Sequence, residues 1–166
     1  MRGRIIAGLR MDERFIHAFV APLNNVLTTM AMIETRVLPA QGRADHETRG
    51  EITGLIDLVG DRAKGSLALS FDTPVVVEVM QRLFGEVPDA GDEAIGDMVG
   101  EITNMVTGGA KTMLGEMGLE FRMSVPKLIT GTEREIPYVG SGDSVEIPFE
   151  TEHGRIHLAL SFDFSN

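Results

Sequence analysis

The sequence predicts an α+β fold in which two pseudo-repeats, each a helix followed by three largely antiparallel strands, share one sheet with the long helices packed on it. The hexapeptide LALSFD at residues 67–72 recurs letter for letter at residues 158–163, an offset of 158 − 67 = 91 residues. Its apolar residues alternate, so that Leu67, Leu69 and Phe71 share one face, as in a strand that covers a core. In each half, helical and strand patterns follow one another in the same order.

The first half begins with a helix predicted over residues 12–30, where apolar residues recur at helical spacing. Pro22 predicts a kink within this helix. A short strand is expected at 33–38, followed by two longer strands at 51–58 and 66–71 that a tight turn makes antiparallel.

A shorter helix is predicted between the halves. Asp72 or Thr73 can cap it, Pro74 suits its first turn, and Gly85 is a typical stop signal. Residues 75–77 are all valine, which by itself favours a strand.

The second half repeats the pattern. A helix is predicted over 92–117, and strands are expected at 119–125, 145–151 and 155–162, the last two joined by a turn at Gly154. The segments between these elements are rich in glycine and proline and are predicted to be loops, at residues 86–91 and 131–142.

The chain of 166 residues is long enough for one domain. Asp12 is a suitable helix cap, so we expect a flexible N-terminal extension over residues 1–10 and a single domain over 11–166. The pseudo-repeat halves are then about 11–85 and 92–166.

Composition excludes several classes of function. Fifteen Lys and Arg oppose 25 Asp and Glu, for a formal charge of −10, and there is no Trp and only one Tyr. The charge therefore argues against nucleic acid and anionic membranes as partners, and no apolar run is long enough to span a bilayer. The absence of Cys removes thiolate chemistry. The apolar patch before Arg10 is too short for a signal peptide, so we expect a cytoplasmic protein.

One face of the second long helix carries a row of polar and small residues. They follow one another at steps of four, three, four and three, and so form a single outward ridge: Asp97, Glu101, Asn104, Gly108 and Lys111. The ridge places a carboxylate and an amide one turn apart and pointing the same way.

Two features make this ridge a candidate site. Gly108 and Gly109 each cost about 1 kcal/mol of helix stability relative to Ala, which indicates close approach by another group. Asn104 lies in mid-helix although Asn prefers caps and turns. The alternative is that Glu101 and Asn104 are an exposed polar pair and that the two glycines allow a neighbouring element to pack tightly.

Other kinds of site are disfavoured. His153 and His157 are four residues apart on a strand, about 13 Å, and no third ligand is near them in sequence, so a zinc site is not expected. The sequence contains neither G-x-x-x-x-G-K-S/T nor G-x-G-x-x-G, so it offers no nucleotide phosphate cradle. No metal site is predicted.

Residues 97–104, DMVGEITN, resemble the D/S-x-x-x-E-x-x-N signature of the CheC/CheX/FliY chemotaxis phosphatases. Residues 12–19, 26–30 and 96–105 resemble CheX in particular. The resemblance implies a CheX-like fold, a cytoplasmic homodimer, and removal of phosphate from a phosphorylated CheY-like receiver domain. It implies no cofactor of the chain's own, since Mg²⁺ comes with the receiver.

The resemblance also implies roles for the ridge. Asn104 would orient the attacking water, and Glu101 would pair with the receiver's lysine, assisted by Asp97. Gly108 and Lys111 complete the expected receiver-binding surface. The segment 33–37 echoes 119–123 at an offset of 86, which maps Glu101 onto Phe15 and Asn104 onto Ala18. The first half therefore lacks the pair, which again resembles CheX.

Two other functions are open at this stage. The chain could be a non-catalytic binding or assembly module, as in related flagellar switch proteins, in which case the ridge would contact a partner without turnover. It could also be a CheC-like regulator that acts by binding a receptor deamidase. The retained Glu101 and Asn104 favour the phosphatase, because scaffolding needs neither residue.

Overall fold

The structure, a computed structural model, describes residues 11–85, 92–142 and 144–165. This part of the chain forms an eight-stranded antiparallel sheet with helices on one face, which confirms the predicted α+β class. The elements in chain order are α1 (Glu13–Asn25), a π-helical turn (Val26–Met30), β1 (Arg36–Val37), β2 (Gln41–Arg43), β3 (Ile52–Val59), β4 (Ala63–Phe71), α2 (Thr73–Phe84), α3 (Asp92–Glu116), β5 (Arg122–Met123), β6 (Lys127–Thr130), β7 (Ser144–Thr151) and β8 (Gly154–Phe164).

The two copies of the repeated hexapeptide lie side by side at the centre of the sheet. The strand order is β1-β7-β8-β4-β3-β5, with β2 also paired to β7 and β6 to β3. In the central pair, Leu67 faces Leu160 and Leu69 faces Leu158. These residues are completely buried. The prediction that both halves share one sheet is confirmed.

The aspartates that end the two copies bind neighbouring backbone. The Asp72 carboxylate accepts a hydrogen bond from the Arg155 N–H at 2.9 Å. The Asp163 carboxylate accepts one from the Ser141 N–H at 3.1 Å. Charge-assisted bonds of this kind fix the segments that flank each central strand.

The main core lies between the sheet and the three helices. Phe15 and Phe19 of α1 pack on Phe162 of β8, with ring centroids 5.1 Å and 5.7 Å away, and all three rings are buried. Aromatic pairs in tilted or edge-to-face geometry are favourable beyond their buried area. A smaller apolar cluster on the opposite face, built on Leu55, Ala68 and Ile136, is covered by the loop at 131–142.

The short strands differ from the predictions. The strands predicted at 33–38 and 119–125 contain only the two-residue strands β1 and β5. Ile33 and Leu119 are each 3% exposed and pack into the core outside the ladder, so their apolar character reflects burial rather than strand pairing. Strands β2 and β6 were not predicted, because their sequences are short and lack a period-2 pattern.

The helices follow the predictions more closely. α2 is present and ends at Gly85, whose φ of +80° is the left-handed conformation typical of a helix C-terminus. Pro22 lies inside α1, and the α-helix gives way to the π-helical turn three residues later. The predicted extension at 1–10 and the predicted loop at 86–91 lie outside the described residues. Within the described ranges, no helix combines the length and the apolar character that crossing a membrane requires.

Candidate functional site

Helix α3 carries the predicted ridge and is anchored from its opposite side. That side packs into the core through buried residues at helical spacing, namely Val99, Ile102, Val106, Ala110 and Leu114. Thr103 and Thr107 are also fully buried, and each hydroxyl donates to the carbonyl four residues earlier at 2.7 Å. The buried hydroxyls are thus satisfied within the helix.

Thr103 packs directly against the sheet. A Cβ placed on Gly54 of β3 would lie 2.1 Å from the Thr103 hydroxyl oxygen, so only glycine fits beneath the helix at this point. Thr103 directly precedes Asn104 and lies within one turn of Glu101. The position of the ridge above the sheet is therefore fixed by tight packing directly below it.

The structure brings the predicted site residues together on one surface. Asp97, Glu101 and Asn104 are exposed, whereas Gly108 and Lys111 are half-buried. With a helical rise of about 1.5 Å per residue, Asn104 lies about 4.5 Å beyond Glu101 along the axis. Within the described ranges, the side chains of Asp97, Glu101 and Asn104 make no hydrogen bond or ion pair. They are available to an external group.

The two glycines of α3 have different surroundings. A Cβ at Gly108 would meet no atom within 4 Å, so Gly108 leaves the ridge open to approach from outside. A Cβ at Gly109 would lie 2.9 Å from Cβ of Pro22, so Gly109 allows α1 to pack against α3. The sequence allowed two interpretations of these glycines, approach by an external group or tight packing of a neighbouring element. The first fits Gly108 and the second fits Gly109.

An apolar groove lies beside the ridge, between α3, α2 and the π-helical turn. Its volume is about 360 Å³, and its walls include Met30, Leu83, Phe84, Met98 and Met105. Glu101 also lines this groove, so this residue belongs to both the ridge and the groove wall. Sequence reasoning did not find the groove, because Met98 and Met105 recur at the spacing of core residues.

In the first half, the positions that correspond to the ridge pair lie in the core. Phe15 and Ala18 are each 1% exposed. Phe15 contacts Phe162 and Phe164 with ring centroids 5.1 Å and 5.3 Å away. The α1 copy therefore presents neither polar groups nor open space at these positions.

The histidines have other partners. The Nδ1 atom of His157 lies 2.6 Å from the Glu146 carboxylate, whose other oxygen contacts Arg43 at 3.2 Å and Arg49 at 3.4 Å. The ring of His153 lies 3.8 Å from Glu78. In the ranges that the structure describes, no three His, Cys, Asp or Glu side chains cluster in a way that could hold a metal ion.

The fold is that of a CheC-like protein. A CheC-like superfamily protein from Shewanella sp. PV-4 is 37% identical, with a TM-score of 0.84, and the match covers 92% of this chain and 99% of that one. Chemotaxis protein CheX from Vibrio vulnificus is 39% identical, with a TM-score of 0.82, and the match covers 90% and 99%.

The particular family follows from a sequence-family model. The model described as chemotaxis phosphatase CheX matches residues 52–150, and the chain belongs to the CheX family. A CheX–CheY complex with BeF₃ and Mg²⁺ from Borrelia burgdorferi shares the fold at 22% identity and a TM-score of 0.70, covering 89% of this chain and 97% of that one. No curated protein sequence matches the chain at a significant level.

Proposed function

We propose that this chain hydrolyses the aspartyl phosphate of a CheY-like response regulator in chemotaxis or a related two-component pathway, with the ridge on α3 as the surface that meets the receiver. The observation that carries the proposal is the placement of Glu101 and Asn104. Both are exposed one turn apart, and neither side chain has a partner within the described part of the chain. Membership of the CheX family supports the reaction, and the Borrelia burgdorferi CheX complex with CheY, BeF₃ and Mg²⁺ supports the partner.

The reaction needs geometry more than activated groups. Water attacks phosphorus as the bond to the aspartyl oxygen breaks, so that R–COO–PO₃²⁻ and H₂O give R–COO⁻ and H₂PO₄⁻. The leaving carboxylate is stable without protonation, and the water must be held in line with the breaking bond. No covalent intermediate on this chain is required.

Asn104 suits the role of water-orienting residue. Its amide has both a hydrogen-bond donor and an acceptor, so it can fix the orientation of a water molecule without removing a proton. Its backbone is held by the packing of α3 at Thr103 and Gly54. The contribution of Asn104 is therefore positional.

Glu101 suits the role of docking residue. A carboxylate on a rigid helix can pair with the lysine beside the receiver's phosphoryl group, and Asp97 one turn earlier extends the acidic surface. Gly108 lets the receiver approach the helix backbone. Lys111, the last residue of the ridge, lies at the end of the proposed receiver-binding surface. The Mg²⁺ belongs to the phosphorylated receiver, and this chain supplies no metal of its own in the reaction.

The family resemblance further implies a homodimer that acts in the cytoplasm. The alternative of a binding module without turnover predicts the same contact surface. Only a catalytic measurement separates these two functions.

The test is the decay of phosphate from a Mg²⁺-bound, acetyl-phosphate-charged CheY-like receiver of the same organism. Asn104→Ala should lower kcat by roughly 100-fold through loss of water positioning. Glu101→Ala should lower kcat/KM by at least about tenfold through loss of the ion pair. Glu116→Ala is the matched control, because it removes an exposed carboxylate from the last turn of the same helix.

Unchanged activity in Glu116→Ala would show that the effects are specific to the ridge. Two results would count against the proposal. One is a wild-type chain that binds a receiver without accelerating its dephosphorylation, which would favour the binding module. The other is full activity in both Glu101→Ala and Asn104→Ala.

A further inference from the structure

The apolar groove opens directly beside the proposed docking carboxylate. Glu101 lines the groove together with Met98 and Met105 of the same helix. A group that pairs with Glu101 must therefore lie over or next to the mouth of the groove. The ridge and the groove form one continuous surface.

The groove is left open by the described part of the chain. Met30 and Phe84 on its walls are 42% and 59% exposed, and the nearby Met32 is 76% exposed. Exposed apolar side chains grouped around a concave site are typical of interaction surfaces. Methionine side chains are flexible and polarisable, so they can adapt to an apolar group that enters.

We propose that the groove receives a bulky apolar side chain of the receiver, carried next to the lysine that pairs with Glu101. This inference rests on the proposed function, since it deepens the description of the same interface. The groove then contributes to the affinity and to the choice of receiver. It does not contact the phosphoryl group, so it acts on KM rather than on kcat.

Charge and position favour a receiver over other occupants. The residues that line the groove are all apolar except Glu101, so the matching group is an apolar side chain with a cation beside it. An anionic lipid surface is negative and is repelled by the acidic ridge. A second copy of this chain on the groove would cover Glu101, the residue proposed to meet the receiver.

The experiment replaces apolar groove residues with the polar residue glutamine. Binding is measured between the chain and each CheY-like receiver of the same organism, loaded with BeF₃⁻ and Mg²⁺ so that no hydrolysis occurs. The variants are Met30→Gln, Phe84→Gln and the double variant, all at partly exposed positions. Met30→Leu keeps the position apolar, and Val59→Thr makes the same kind of change at an exposed valine on β3.

The expected result is a Kd about tenfold higher than wild type for each glutamine variant, and higher still for the double variant. Met30→Leu and Val59→Thr should bind within about twofold of wild type. At saturating phosphorylated receiver, the double variant should release phosphate at the wild-type rate. Unchanged melting temperatures would exclude unfolding as the cause of weaker binding.

The outcomes separate the two proposals. If the double variant binds like wild type while Glu101→Ala binds more weakly, the groove inference is overturned and the proposed function stands. If the glutamine variants weaken binding but no receiver is dephosphorylated, the groove inference stands and the proposed function fails. If wild type binds none of the receivers, the groove is not a receiver site.

Discussion

Replacing each of the two adjacent glycines of α3 with alanine should have different effects on stability. Glycine in a helix interior costs about 1 kcal/mol relative to alanine. At Gly108 the new methyl group would meet no atom within 4 Å, so nothing offsets this gain. Gly108→Ala should raise the free energy of unfolding by about 1 kcal/mol, or Tm by about 2–4 °C.

Gly109→Ala gains the same helix propensity but meets α1. The new Cβ would lie 2.9 Å from Cβ and 3.2 Å from Cγ of Pro22, well inside contact distance. The proline ring is rigid, so α1 must move, and overpacking of this kind costs about 1–3 kcal/mol. The two variants should therefore differ in stability by about 1–3 kcal/mol, since the propensity term is common to both.

Urea unfolding followed by far-UV circular dichroism measures this difference. The two variants should share one m-value and differ only in midpoint. Equal stability of Gly108→Ala and Gly109→Ala would refute the assignment of Gly109 to the contact between α1 and α3.

The Gly108→Ala variant also tests the role of Gly108 in receiver binding. Gly108→Ala places a methyl group on the ridge between Asn104 and Lys111, where the receiver is proposed to approach the backbone. We expect kcat/KM for receiver dephosphorylation to fall by about tenfold although the protein is more stable. A stabilised variant with wild-type kcat/KM would remove Gly108 from the receiver-binding surface.

Two further predictions concern the first half and the sheet edge. The double variant Phe15→Glu/Ala18→Asn places a Glu and an Asn on α1 at the positions that correspond to the ridge pair. It should lower the free energy of unfolding by at least about 4 kcal/mol and create no second site, because both positions are buried. Urea unfolding and phosphate release test this, and a stable variant with added activity would contradict it. Hydrogen bonds from Arg155 and then Arg36 lower the pKa of Glu150, so the stability from this carboxylate is present above the ordinary glutamate pKa and is lost as pH falls through the lowered value. An NMR titration of the Glu150 carboxyl should show a higher midpoint in Arg155→Ala than in wild type. An unchanged midpoint would count against these contacts.

The centre of the fold and the line of the ridge could be predicted from the sequence because local pattern determines both. Strands β4 and β8 contain an exact repeat in which every second residue is a large apolar one, and this pattern indicates a strand with that face on the core. The ridge follows from helix geometry alone, since steps of three and four residues keep a side chain on one face. In both cases no knowledge of neighbouring elements is needed.

The edges of the sheet and the groove depend on tertiary contacts. β6 pairs with β3 along Lys127–Thr130, yet the sequence KLIT has no alternation that would indicate a strand. Met98 and Met105 have core spacing but line an open groove, because α2 and the π-helical turn lie apart above them. The neighbours of Gly108 and Gly109 likewise depend on which side of α3 faces α1.

The two halves share an order of elements but not a pattern of exposure, and this difference limits each chain to one ridge. At the offset that relates the halves, Glu101 and Asn104 are exposed, whereas Phe15 and Ala18 are buried. Phe15 packs on Phe162 of β8, so the first helix uses these positions to hold the central sheet together. A polar pair there would remove core packing. The described part of the chain therefore presents one such ridge, and under the proposed function that ridge is the single place where a receiver would bind.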